Sequence, residues 1–245
     1  MKKLFLAIAL IFSISTFAQD MQKYLSETKS MVKQKKYSEA NDRYIWFQNH
    51  SLESSSSMSG VRLSFALSDW KSLADIYSPA LDSIKAMRDH KTKQLVQNNG
   101  PVQLFGDVSA INNYLFESEK TVTLFEIIRN ADKDKARKCW FYARKSLFKY
   151  KRYDLIKYYV GDPVSDFQVI KEQRNRLLNV SVSNKETIKK YTDDSFVENS
   201  LDLINYSIAM HDLESAKKIR DEAMLIVNDY RLRDLKLNTT SIKNK

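Results

Sequence analysis

The sequence predicts an all-α fold of irregularly stacked helical hairpins, and three observations lead to it. Glycine occurs four times and proline three times in 245 residues, too rarely for the tight turns of a β-rich chain. Leu, Lys, Glu, Ala, Gln and Arg, which lose little on entering a helix, fill much of the remainder. Apolar residues also return every three or four positions over long stretches, the period of a helix with one buried face.

Each helix is placed by its breaks. Residues 21–34 form an amphipathic segment with Tyr24, Leu25, Thr28, Met31 and Val32 on one face. Lys35-Lys36 turns the chain, and 37–49 returns through Ala40, Tyr44 and Phe47. A serine run, 54–57, reads as a loop or capping region before helices at 58–67 and 70–77. Ser78-Pro79 opens the next helix, because serine accepts from the first free N–H groups and proline has none to lose. Its apolar register runs through Leu81, Ile84, Met87, Lys91 and Leu95. Asn98-Asn99-Gly100-Pro101, reinforced by Gly106-Asp107, is the strongest interruption in the chain. It separates N-terminal hairpins, 19–98, from C-terminal hairpins, 107–234. Asp107 is expected to cap a long helix to Arg129, followed by a close pair at 135–150 and 153–160. Gly161-Asp162-Pro163 ends that pair and starts a helix to Leu178. After a loop at 179–184, the last pair occupies 192–210 and 213–230, and the polar tail 235–245 frays. The two halves form either one solenoid or two packed bundles.

Several helix starts share a pattern: a large residue, two positions, then an apolar or small residue. It occurs at Tyr37 to Ala40, Trp70 to Leu73, Tyr153 to Ile156 and Leu213 to Ala216. The first two copies lie 33 residues apart, and the later separations are 83 and 60. This resembles the tetratricopeptide repeat, a helix–turn–helix unit of about 34 residues. Tyr37, Ala40, Tyr44 and Phe47 match its packing positions best, followed by Leu213, Ala216 and Ala223. Thr28 and Ile204 stand where that family places glycine or alanine, so the resemblance is to a degenerate array covering about half the mature chain. It implies a repeat surface that binds a protein or peptide.

The N-terminus carries an address. Met1-Lys2-Lys3 is basic, Leu4 to Ile14 is apolar, and Ser15 to Ala18 supplies small residues before a cut between Ala18 and Gln19. That order is read by the secretion machinery, and the apolar run falls short of the roughly 20 residues that span a bilayer. It resembles the signals of Gram-negative exported proteins, especially of the Bacteroidetes. The expected location is periplasmic or secreted, and the mature chain is expected to have no membrane span. Removal of 1–18 leaves 227 residues, enough to bury about 70–75% of the unfolded surface without staples. The single cysteine, Cys139, cannot form an intramolecular disulfide, and its neighbours Trp140, Phe141 and Tyr142 predict burial rather than reactivity.

The sequence carries no recognisable catalytic or metal-binding motif. His50, His90 and His211 lie far apart in sequence, so no zinc pattern can be drawn, and no metal or cofactor is expected. Four glycines cannot build a phosphate loop, and there is no Gly-x-Ser-x-Gly elbow. Asp193-Asp194 and Asp132 to Asp134 read as acids at helix starts. The formal charge of +10 falls to +8 without Lys2 and Lys3, and both signs are mixed along the helices. The densest basic stretch, Arg144 to Lys157, alternates with aromatics at helical spacing, which favours packing, so no nucleic-acid partner is expected. Of the adjacent Trp46 and Phe47, only one can face the core, and thirteen tyrosines imply an exposed aromatic surface. The expected function is a non-catalytic binding or assembly module for a protein or peptide. The alternative is an all-α envelope polysaccharide hydrolase or lyase, which would need two carboxylates within about 10 Å in a groove. Export has a direct check: intact-mass analysis of protein from the envelope or medium should show Gln19 as the first residue, and retention of residues 1–18 would contradict it.

Overall fold

The computed structural model describes residues 20–54, 56, 58–97, 99–180 and 184–237. The expected signal segment, its cut between Ala18 and Gln19, and the tail beyond 237 lie outside these residues. Among the described residues the chain is helical and contains no strand. The first helices are α1 (20–33), α2 (Tyr37–Ser54) and α3 (Met58–Val61), followed by a π-helical turn (Arg62–Ala66) and α4 (Leu67–Ala74). Next come α5 (Ser78–Gln97), α6 (Gln103–Tyr114), α7 (Ser118–Ala131) and α8 (Lys133–Lys149). The remainder is α9 (Tyr153–Ile156), α10 (Pro163–Leu178), α11 (Lys185–Ala209), α12 (Leu213–Ile226) and α13 (Tyr230–Arg233).

One turn recurs. Lys35, Phe116, Lys151 and His211 each have left-handed backbone, with φ of 62°, 59°, 51° and 63°. At each, the residue's own N–H donates three positions back, and the next N–H donates five positions back. Lys35 N and Lys36 N, for example, reach the carbonyls of Val32 and Met31 at 3.0 Å. Glu117 N to Asn112 O (2.7 Å), Arg152 N to Leu147 O (3.0 Å) and Asp212 N to Ser207 O (2.8 Å) repeat the longer bond. This closure uses carbonyls that the helix end leaves without partners. It holds although a side chain at such a φ costs about 1–2 kcal/mol. Five residues beyond each left-handed position lies a fully buried residue: Ala40, Thr121, Ile156 and Ala216. The turn therefore sets where each return helix faces its neighbour.

These turns correct two expectations. The long helix from Asp107 to Arg129 is broken at Phe116 into α6 and α7. No glycine or proline marks that break, and Asn112 Nδ2 donates to Thr121 Oγ1 across it (3.1 Å). The pattern at Trp70 follows no turn, because α3, the π-helical turn and α4 run on without interruption. Trp70 is instead a core residue of α4, stacked on Tyr44 and donating to Asn41 Oδ1 at 2.8 Å.

The chain divides into two compact units after Ser146, well beyond the expected division at 98–107. Helices α5 and α6 pack along each other across that segment. Gly100 permits the reversal, since a Cβ there would lie 2.8 Å from the Leu104 side chain and 2.9 Å from the Gln94 carbonyl. Gly106 is not loop but buried helix: a Cβ there would meet the Tyr142 ring at 2.8 Å. The core of the first unit gathers Tyr44, Phe47, Leu67, Trp70, Leu73 and Ile84, all essentially inaccessible to water.

In the second unit α10, α11 and α12 pack pairwise, with Phe167 against Phe196 at 5.8 Å between ring centres. Pro163 opens α10, as the Gly-Asp-Pro sequence predicts, and Asp162 caps it by accepting from Ser165 N at 2.9 Å. Helix α11 begins at Lys185, so Asp193 and Asp194 sit inside it rather than at its start. Asp193 pairs with Arg174 (2.7 Å) and Lys189 (2.6 Å), and Asp194 pairs with Arg231 (3.0 Å). Burial alone would raise the Asp193 carboxyl, but its bonds to Lys189 and Arg174 outweigh this and hold it below the usual carboxylate range. Ala216, fully buried between helices, sets the test of this packing. Ala216→Leu should overpack the seam by roughly 1–3 kcal/mol and lower the thermal midpoint of the full chain, read by circular dichroism. An unchanged midpoint would contradict the packing described.

Candidate functional site

The first unit contains a cleft of about 610 Å³ between α2, the π-helical turn, α5 and α6. Its walls are apolar where Ile45 and Leu52 of α2 face Ala86 and Met87 of α5 and Leu104 of α6. Around them stand the amides of Gln48, Asn49, Gln94 and Gln103, with His90 beside them. This volume and mixture of apolar wall with a few polar groups are typical of ligand sites.

Charge forms the floor. Arg62, Lys91 and Asp107 all line the cleft, yet they are only 3%, 7% and 4% exposed. Both oxygens of Asp107 are engaged. Arg62 Nη1 donates to Oδ2 at 2.8 Å, Arg62 Nη2 bonds Oδ1, and Lys91 Nζ bonds Oδ2. A guanidinium matches a carboxylate edge with two parallel N–H groups, so the pair is fixed in orientation as well as distance. Burial lowers the affinity of the Lys91 amine for its proton, and the Arg62 guanidinium adds to this, while Asp107 opposes both. Lys91 is therefore held below the ordinary lysine range.

Arg62 is positioned by the π-helical turn. That turn adds a residue to the helical repeat, and such insertions recur at functional sites. Gln48 Nε2 donates to the Arg62 carbonyl at 2.8 Å, while Arg62 Nη1 also reaches the Gln48 carbonyl at 3.4 Å. Arg62 Nε is buried with no hydrogen-bond partner among the described residues. Asp107 lies in the middle of α6, not at its start, which corrects its expected role as a cap.

The other candidates are dispersed. His50 bonds Glu53 (3.2 Å) and stacks on Trp46, whose other ring neighbour is Tyr24 at 4.9 Å. Phe47 is buried and Trp46 is 40% exposed, which resolves that adjacent pair. Among the described residues, no three His, Cys, Asp or Glu side chains are grouped to hold a metal ion. Cys139 is inaccessible, and burial pushes its thiol up to about 11, far from the range of a reactive thiolate. Asp132 caps α8 by accepting from Lys135 N at 2.9 Å. In the basic–aromatic stretch Phe148 is buried, but Tyr150 and Tyr158 are exposed beside Lys149 and Lys157. No described helix is long and apolar enough to cross a membrane.

Sequence reasoning passed over the charged floor, although one signal was present. Lys91 occupies a core position in the apolar register of α5, and a charge there needs a buried partner. Comparison of the chain with family models, curated proteins and solved structures found no match to any of them.

Proposed function

We propose that the chain is an exported, non-catalytic binding module whose first unit holds a segment of a protein or peptide in this cleft. One observation carries the reading: apolar walls, an amide rim and a rigid charged floor meet in a single preformed cleft. Apolar walls take side chains, and amides satisfy the backbone of an extended segment, which has a donor and an acceptor at almost every residue. The recurrent helix–turn–helix closure supports a repeat-like scaffold, and the basic–apolar–small order of the first eighteen residues supports export. Several large apolar side chains stand exposed elsewhere, including Phe65, Phe116 and Phe141, in keeping with a protein that meets other proteins.

The cleft's chemistry favours binding over hydrolysis. Asp107 is the one carboxylate among the described residues that line it, and both its oxygens are held by cations. A glycosidase instead needs two carboxyl groups about 5–10 Å apart, one of them free to move a proton.

The test is selection of random displayed peptides on the immobilised chain, followed by affinity measurement on Ala86→Trp. Ala86 is exposed on the cleft wall, so tryptophan there fills the cleft without entering the core. Selected peptides should bind the parent chain and lose about tenfold or more in affinity on Ala86→Trp, with the melting temperature unchanged. Failure to enrich any sequence, or equal binding to both chains, would contradict the reading.

A further inference from the structure

We propose that the segment held in this cleft is acidic, with one aspartate or glutamate side-chain carboxylate seated over the Arg62–Asp107–Lys91 floor. The inference rests on the peptide-binding reading and adds the chemistry of the occupant. Two cations face one anion, so the floor carries an excess of one positive charge, and all three side chains are more than nine-tenths buried. A buried charge without a counter-charge is costly, and a carboxylate entering from the cleft would neutralise it. The Lys91 ammonium has three donors, of which Asp107 takes one. Arg88, one helical turn before Lys91 on α5, is paired with Asp89 (2.8 Å) and with Glu117.

The number of charges selects the class. One excess positive charge balances a carboxylate, whereas a phosphate monoester carries about −1.5 to −2 at neutral pH and would leave an uncompensated negative charge. Among the described residues, no further acidic one lines the cleft to repel an incoming carboxylate, and His90 is in the lining. The formal charge of +10 for the whole sequence acts in the same direction at longer range, drawing acidic segments toward the surface.

The experiment uses the full chain and two pools of acetylated, amidated nonapeptides that differ only in a central Glu or Gln. Capping both ends leaves that side chain as the carboxylate under test. Binding is compared on the parent chain, Lys91→Met, Lys91→Arg and Ala86→Trp. The Glu pool should bind the parent chain about tenfold more tightly than the Gln pool. Lys91→Met leaves a balanced Arg62–Asp107 pair and a neutral floor, so the preference should vanish there and persist in Lys91→Arg. The Glu–Gln comparison on the parent chain stands even if a variant fails to fold. Equal binding of the two pools, blocked by Ala86→Trp, would overturn the acidic assignment alone. Absence of binding by either pool would overturn the peptide reading beneath it.

Discussion

The contact of Asp107 with Arg62 and Lys91 fixes the arrangement of the first unit, because it joins three elements that are distant in sequence. Arg62 comes from the π-helical turn, Lys91 from α5 and Asp107 from α6. Burying three ionised groups is expensive, and replacing such clusters with apolar residues often leaves a protein as stable or more so. The cluster therefore contributes position more than net stability. An apolar floor could slide or repack. A carboxylate gripped on one edge by a guanidinium and on one oxygen by an ammonium has far fewer arrangements. Its neighbour in sequence reinforces this, since Gly106 lets the Tyr142 ring approach the α6 backbone more closely than any larger residue would allow. The cleft is then the space left above a floor that cannot move without separating buried charges.

The helical hairpins depend on a second, local constraint. Four turns close with the same pair of backbone hydrogen bonds and a non-glycine residue in left-handed backbone. The strain at each position is offset by carbonyls that would otherwise lack partners and by the fully buried residue five positions on. Sequence similarity among the turns is slight because the closure is made by backbone atoms. Lys35, Phe116, Lys151 and His211 share no side-chain chemistry. The same turn appears in both units, at Lys35 and Phe116 in the first and at Lys151 and His211 in the second.

This explains what could be read from the sequence. Helical class, the turns at Lys35 and Lys151 and the helix starts at Ser78-Pro79 and Pro163 were legible because composition, periodicity and proline act locally. The break at Phe116 was hidden, since the apolar period continues across it and no glycine announces the left-handed residue. Trp70 imitated a helix start because a large residue followed three positions on by an apolar one also occurs within a helix that packs closely. Asp107 and Asp193 were assigned to caps on proximity to loop-like residues, whereas long-range partners, Arg62 and Lys91 in one case and Arg174 in the other, hold them inside helices. Lys91 was the one visible sign of the site, a cation in an apolar register, and its partner lay on another helix.

The most direct test of the charged floor as the organising contact is urea unfolding of the full chain followed by tryptophan fluorescence. All three tryptophans, Trp46, Trp70 and Trp140, lie in the first unit, so the signal originates there. Asp107→Asn leaves two buried cations without their anion and should cost about 3–5 kcal/mol, while the triple replacement Arg62→Met, Lys91→Met and Asp107→Leu should recover most of that loss. A single variant that unfolds at the same urea concentration as the parent chain, or a triple variant no more stable than the single one, would contradict the account.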